Sequence, residues 1–234
     1  MDVPATSADA KADDAVGHRA RLRARLLEQG GEALQDYELV EYLLALAIPR
    51  RDTKPLAKAL LREFGGIAGL LTADAAALSR VKGMGDTSAA AIKIAHAAAL
   101  RLLRTETVAK PVLANWQALL DYLRADMAHH QIERVRVLHM NSRNQLIRDE
   151  VMNEGSIDEA PVYAREVIRR AIDLGSAAII LVHNHPSGDA SPSRADIEIT
   201  RAIADAGKRL NIALHDHIIV ARGGHTSLRA QGLI

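Results

Sequence analysis

The chain predicts an α+β protein in two parts, an all-α N-terminal half and a C-terminal α/β half built on a mixed sheet. Three observations carry that prediction. Apolar residues recur at helical spacing from Arg19 to Leu103. From Glu133 onward, short alternating or wholly apolar runs appear between helical stretches, the pattern of strands. The length of 234 residues accommodates one large domain or two smaller ones, and 48% hydrophobic with 25% charged residues is the balance of a globular chain able to bury a core. Aromatic residues make up only 3%, so the core must come from Ala, Leu, Ile and Val.

Residues 1–16 carry four Asp and one Lys without the basic and apolar segments of a secretory signal, and are expected to be a disordered tail. Residues 17–104 are expected to form a helical domain. Leu22, Leu26 and Leu27 recur at helix spacing, as do Leu39, Leu43, Leu44 and Leu46. Pro49 stops that helix, Pro55 opens another through Leu56, Leu60 and Leu61, and Gly65-Gly66 ends it. Short helices over 67–71 and 75–81 precede Gly83-Met84-Gly85 and an Ala-rich helix to about Leu103. Residues 105–114, with Lys110-Pro111, show no helical face and are the expected linker.

Residues 115–234 form the second expected domain. It opens with a helix over 116–127. Val135, Val137 and His139 alternate with longer or polar partners and predict a strand, with 145–152 as its hairpin partner across a turn rich in Asn and Ser. A helix over 164–174 comes next. The wholly apolar run 178–182 has the form of a central strand. A further helix from Ser193 to about Ala206 and a strand over 212–221 complete the pattern.

Composition excludes several classes. There is no cysteine, which removes disulfide frameworks and thiolate zinc sites, so any metal must be held by His and carboxylates. A reducing, cytoplasmic location is expected. No run of about 18 apolar residues is present, so a membrane-spanning helix is not expected. The overall charge of +1 divides unevenly: residues 17–104 hold 14 Lys/Arg against 9 Asp/Glu, while residues 105–234 hold 15 against 16.

His183 and His185 follow directly on the apolar run Ile179-Ile180-Leu181-Val182. Residues i and i+2 of an extended chain face one side, so both imidazoles can reach one ion. Asp196 lies eleven residues beyond His185, across Pro186-Ser187-Gly188 and a loop closed by Pro192. Two nitrogens and one carboxylate make a catalytic zinc set with a position open to water, although the same donors admit Fe²⁺, Co²⁺, Mn²⁺ or Ni²⁺. Ser193-Arg194-Ala195-Asp196 is equally a helix capping box, with Ser at the N-cap and Asp at N3. Capping accounts for those residues without chemistry, but not for two histidines leaving one apolar strand beside the same loop.

The ordered string His-x-His, seven residues, Ser-x-x-Asp resembles the signature of the JAMM (MPN+) metalloprotease family, and it stands complete at His183, His185, Ser193 and Asp196. The fuller His183-Asn184-His185-Pro186-Ser187-Gly188, with Pro192-Ser193-x-x-Asp196, resembles the RadC-like (UPF0758-type) branch. That similarity extends through 133–141, 162–167 and Asp216-His217, and over the helical half. It implies an α/β, JAMM/MPN-like (cytidine-deaminase-like) domain binding one Zn²⁺ through His183, His185 and Asp196. Ser193 would stabilise an oxyanion, and Glu133, opening its strand as the family's glutamate does, would be the general acid/base. Glu150, Glu154 and Glu166 compete for that role. Asp216-His217 is either a partner for a zinc-bound imidazole or a structural pair at a sheet end, and His215, His217 and His225 are otherwise scattered surface histidines.

Val81-Lys82-Gly83-Met84-Gly85, leading into an Ala-rich helix, resembles the hairpin of a helix-hairpin-helix DNA-binding motif. Glycines there expose backbone N–H groups near a helix N-terminus, where phosphate is favoured. DNA contacts are expected through Lys82, Gly83, Gly85 and Lys93, salt-sensitive and without sequence preference; a plain helical turn, or protein contacts, would explain the same residues. Arg19, Arg21, Arg23 and Arg25 read as a solvated helix face. The leading expectation is therefore a zinc-dependent hydrolase of a peptide or isopeptide bond, with a peptide or protein substrate. The alternative is a DNA-associated repair accessory protein.

Overall fold

A computed structural model of the chain describes residues 7–108, 111–154 and 162–234, and side chains over 17–105, 111–153 and 162–234. Residues 1–6 of the expected tail lie outside it, and from Ser7 the backbone is helical. The chain divides into two compact units, Met1–Ala98 and Ala99–Ile234.

The first unit is all helical among the described residues: α1 (Ser7–Gln29), α2 (Asp36–Ala47), α3 (Lys54–Glu63), α4 (Ile67–Thr72), α5 (Ala75–Arg80) and the start of α6 (Asp86–Val108). Proline in the first turn of α3 costs no hydrogen bond, and Gly65 and Gly66, with φ of 70° and 115°, turn the chain where a side chain would be strained. Val40, Leu44, Leu56, Leu60, Leu70, Leu78 and Ile92 close one aliphatic core. Three of the leucines at helical spacing are exposed instead: Leu27 at 78%, Leu46 at 68% and Leu39 at 38%. The N-terminal arginines are not all a solvated face either. Arg19 donates to the carbonyls of Ile48, Pro49 and Arg51 just past the C-terminal end of α2, and Arg25 pairs with Glu38 at 2.9 Å while reaching the Ala33 carbonyl. Helix α6 continues into the stretch expected to be a linker; residues 109–110 lie outside the described ones and Val112–Asn115 is a short 3₁₀ helix.

The second unit contains α7 (Trp116–Met127), β1 (Arg134–Met140), β2 (Leu146–Glu154), α8 (Ala164–Asp173), β3 (Ala178–Asn184), α9 (Arg194–Lys208), β4 (Ala213–Ala221) and β5 (Gly224–Ser227). The sheet runs β2-β1-β3-β4-β5, with β3 and β4 parallel and every other pair antiparallel. The parallel pair requires a crossover, and α9 supplies it. Strand β5 was not expected from the sequence, being four residues rich in Gly and polar side chains.

Alternation decides which helices each strand residue meets. Leu138, Met140, Ile180, Val182, Ile218 and Val220 pack under α7, with Leu119, Leu123 and Met127. Val135, Val137, Ile179 and Leu181 face α8 and α9, with Val167, Ile168, Ala171 and Ile203. Because both faces are covered, β3 is buried along its whole length, which is why its sequence is uniformly apolar until His183. Gly207 near the end of α9 is required by close approach: a Cβ there would sit 2.6 Å from the Ile212 carbonyl oxygen. Among the described residues no helix is long and apolar enough to cross a membrane.

Candidate metal centre

His183 sits on the α8/α9 side of β3 and is 1% exposed. His185 lies just beyond the strand, where its N–H donates to the Val220 carbonyl at 2.9 Å and prolongs the parallel pairing with β4. The two imidazoles thereby leave the same side of one backbone, as the i, i+2 spacing requires. Their Nε2 atoms are 2.8 Å apart.

Asp196 reaches them from the first turn of α9. Ser193 is the N-cap of that helix, and its Oγ accepts the Asp196 N–H at 3.1 Å. In return, Asp196 Oδ2 accepts the Ser193 N–H at 2.7 Å and its hydroxyl at 2.6 Å. The capping box and the metal motif are thus one device. The cap occupies Oδ2 and turns Oδ1, which accepts no hydrogen bond, towards His183 Nε2 at 3.2 Å. Oδ2 lies 3.6 Å from His185 Nε2. Ligand atoms around a tetrahedral ion with bonds of about 2.0–2.2 Å stand roughly 3.3 Å apart; the His183 Nε2 to Asp196 Oδ1 separation matches that edge, and the two imidazole nitrogens stand closer than it.

The hydrogen-bond pattern assigns the protons. The Asp189 carbonyl can only accept, so His185 Nδ1, 2.9 Å away, carries the hydrogen and Nε2 bears the lone pair. A longer relay settles His183. Thr200 donates its hydroxyl hydrogen to the Asp196 carbonyl, so Thr200 Oγ1 accepts from His217 Nδ1 at 2.5 Å. His217 Nε2 is then an acceptor, and takes the hydrogen of His183 Nδ1 at 2.7 Å. His183 Nε2 is left bare. Two imidazole lone pairs and a bare carboxylate oxygen therefore face one another without a proton assigned between them, an arrangement that a cation stabilises.

The electrostatics agree. Burial pushes the His183 imidazole down to about 4 and His217 well below its ordinary value, keeping His183 neutral as ligation requires and His217 neutral as its acceptor role requires. His185 is raised, first by the Asp196 carboxylate beside it, so the cluster draws positive charge. Burial pushes the Asp196 carboxyl up, but His185, His183 and Ser193 together hold it well below the usual carboxylate range.

Glu133 arrives immediately before β1. Its Oε1 is 3.8 Å from His183 Nε2, and ligand atoms of Glu133, His183 and His185 all lie within 4.8 Å of one another. The residue between the two histidines secures this position. Asn184 points to the opposite face of β3 and is fully buried. Its Oδ1 accepts the Arg134 N–H at 2.9 Å, while Nδ2 donates to the carbonyls of Ile132 at 3.2 Å and His130 at 3.4 Å. The backbone on both sides of Glu133 is thus tied to Asn184. The competing carboxylates are engaged elsewhere: Glu150 pairs with Arg170 at 2.7 Å and Glu166 with Arg169 at 3.0 Å, while the Glu154 side chain lies outside the described residues.

The Asp216-His217 pair divides between its two expected roles. His217 orients His183, so it is no surface histidine, whereas Asp216 faces away and binds Ser227 Oγ at 2.5 Å and the Arg229 N–H at 3.1 Å. His225 is exposed, and His215 bonds Asn144 at 2.7 Å. Thr200 and Asn184 were missed as functional residues. A Thr in a helix and an Asn flanked by histidines have no spacing that reveals which backbone group they will meet.

At the N-terminal glycine hairpin the expected contacts turn inward. The Gly83 carbonyl takes the Arg51 guanidinium at 2.8 Å, and the Gly85 N–H donates to Ser88 Oγ at 2.9 Å. Lys93 donates to the carbonyls of Ala73 at 2.8 Å and Leu71 at 3.3 Å, and burial lowers its pKa. Its charge closes the end of α4. Lys82 is exposed.

Comparison with known proteins matches residues 113–233 to the RadC-like JAB domain and residues 15–90 to the UPF0758 N-terminal family. The chain belongs to the RadC-like JAB domain family. A UPF0758 protein of Rhodobacter capsulatus is 48% identical over 213 residues, covering 91% of this chain and 100% of that relative. The RadC-like match takes in Glu133, His183, His185, Ser193 and Asp196 together, with His217 and Thr200 behind them.

Proposed function

We propose that this RadC-like chain is a zinc-dependent hydrolase of the JAMM type acting on a peptide or isopeptide bond. One observation carries the reading: His183 Nε2, His185 Nε2 and Asp196 Oδ1 converge as three bare donors, with the Glu133 carboxylate beside them. These three residues would hold one Zn²⁺. Zinc, when bound, brings the pKa of a water towards about 7 and polarises a carbonyl oxygen.

The rest is the work of the chain. Glu133 accepts a proton from the attacking water as the new C–O bond forms, and returns it to the departing nitrogen as the C–N bond breaks. Asn184, gripping the backbone on either side, keeps that carboxylate within reach of the bond. His217 and Thr200 hold His183 in the tautomer that leaves Nε2 bare. Ser193 acts first through Asp196; its hydroxyl reaches an oxyanion only by releasing the 2.6 Å bond to Oδ2.

The test is metal analysis of the purified full chain beside three variants. About one zinc per chain is expected, lost in His183→Ala and in Asp196→Ala. Glu133→Gln should retain zinc and lose hydrolysis across a library of peptides and isopeptide-linked conjugates that the unaltered chain cleaves. Retention of zinc in both ligand variants would overturn the proposal.

A further inference from the structure

Beside the donor cluster lies a cavity of about 360 Å³ under the N-terminal half of α9. His183 and Asp196 contribute to its lining, and the rest is largely apolar: Val135 and Leu181 from the sheet, Val162 ahead of α8, and one stripe of α9. That stripe is Ala195, Ile199 and Ala202, recurring every three to four residues on a single helix face. Two of its three positions are alanine, and small residues there leave the space open. Elsewhere the same sheet face is filled by Val137, Ile179, Val167, Ile168 and Ile203. Empty apolar space forfeits packing contacts, so stability alone would favour larger side chains at 195 and 202.

Among the described residues no Lys or Arg lines the cavity, and the Glu198 carboxylate at its rim is exposed and paired with Arg194 at 2.7 Å. Apart from His183, Asp196 and His217 at the donor end and Glu198 at the rim, the described lining offers no polar group to a guest, whereas an aliphatic one would gain from leaving water. A volume of this order is at the small end for ligand sites, which run from about 300 to 1,000 Å³. It suits one side chain rather than an extended molecule.

We infer that this cavity is a specificity pocket for an aliphatic side chain of the substrate residue flanking the scissile bond, an inference that rests on the hydrolase reading above. His183 and Asp196 in its lining make the pocket continuous with the reacting centre, so a residue whose carbonyl lies at the donors can seat its side chain against Ile199 and Leu181. Leucine, isoleucine, valine and methionine fit this chemistry; aspartate, glutamate and lysine do not.

Amino-acid hydroxamates test the pocket without a known substrate, because the hydroxamate engages the metal while the side chain is varied. Binding of glycine, leucine and aspartate hydroxamates to the zinc-loaded full chain is measured by titration calorimetry. Leucine hydroxamate should bind roughly tenfold to a hundredfold more tightly than glycine hydroxamate, and aspartate hydroxamate should show no gain. Ala202→Phe, at the exposed side of the stripe, should bring the leucine-to-glycine ratio towards one. Equal binding of leucine and glycine hydroxamates would overturn the pocket and leave the metal reading intact. If no hydroxamate, nor acetohydroxamic acid, binds the zinc-loaded chain, the metal reading falls and the pocket with it.

Discussion

Two loops of this chain lead into helix N-termini and carry ligand-like motifs: Gly83-Met84-Gly85 before α6, and Pro186 to Ser193 before α9. In sequence they look comparable. In the fold they behave as opposites. Around the first, Arg51, Ser88 and Lys93 use their polar groups on nearby backbone. Around the second, the same kinds of hydrogen bonds leave bare lone pairs: the cap at Ser193 occupies one Asp196 oxygen, and the relay through Thr200 and His217 occupies the far nitrogen of His183. A helix start becomes a ligand site when its surroundings satisfy everything except the groups that face the ligand.

The contrast is sharpest in the relay. Thr200→Val keeps the β-branched shape of the side chain but removes the hydroxyl that accepts from His217 Nδ1. Zinc affinity, measured by competition with a chelator, should fall about 10–100-fold. An unchanged affinity would mean that His183 does not depend on the relay for its tautomer.

Acid should separate the metal-free chain into contributions of opposite sign. Burial pushes both His183 and His139 down to about 4, so on acidification from about 6.5 the unfolded chain takes up protons first. Their stabilising contribution is therefore complete above about 6.5 and is lost as pH falls through about 4. His185, raised by Asp196, contributes in the other sense and loses its share as pH rises through its elevated value. His139 is outside the donor cluster, buried against Ser176 at 3.0 Å, so His139→Gln should flatten the acid slope by on the order of 2 kcal/mol without altering zinc content. Chemical denaturation between pH 7 and pH 4 reads this directly.

The smallest effect belongs to the hairpin. If it takes phosphate, the exposed Lys82 carries the contact and the inward-turned Lys93 does not. In a salt titration of duplex DNA binding, Lys82→Ala should lower the salt slope by about 1. Lys93→Met should leave the slope unchanged and instead cost about 1 kcal/mol of stability through the lost bonds to Ala73 and Leu71. A slope change with Lys93→Met alone would reverse this assignment.

Much of this was legible in the sequence. The helical and strand periods located nearly every element of the second unit, because strand burial follows side-chain alternation or, in β3 with both faces covered, an unbroken apolar run. The strand ending in His183-Asn184-His185 announced two same-side imidazoles, and Ser193 and Asp196 announced a cap. Leu27, Leu39 and Leu46 misled because helical spacing does not show how far a neighbouring helix covers a face, and β5 was hidden by its Gly-rich, polar composition. Sequence also left open whether Ser193 and Asp196 formed a cap or a metal site. Only the fold showed that the cap also aims Asp196 at the two histidines, because that turns on which carboxylate oxygen the cap leaves bare.

By itself, then, the sequence determined the two-part α+β architecture and the local order of the donors, since backbone periodicity and i, i+2 geometry are properties of adjacent residues. Tertiary structure decided what those donors face. The Glu133 position depends on Asn184 fifty-one residues away, and the bare nitrogen of His183 on Thr200 and His217. Protons and lone pairs are assigned by contacts between distant segments, and no local pattern in the chain encodes them.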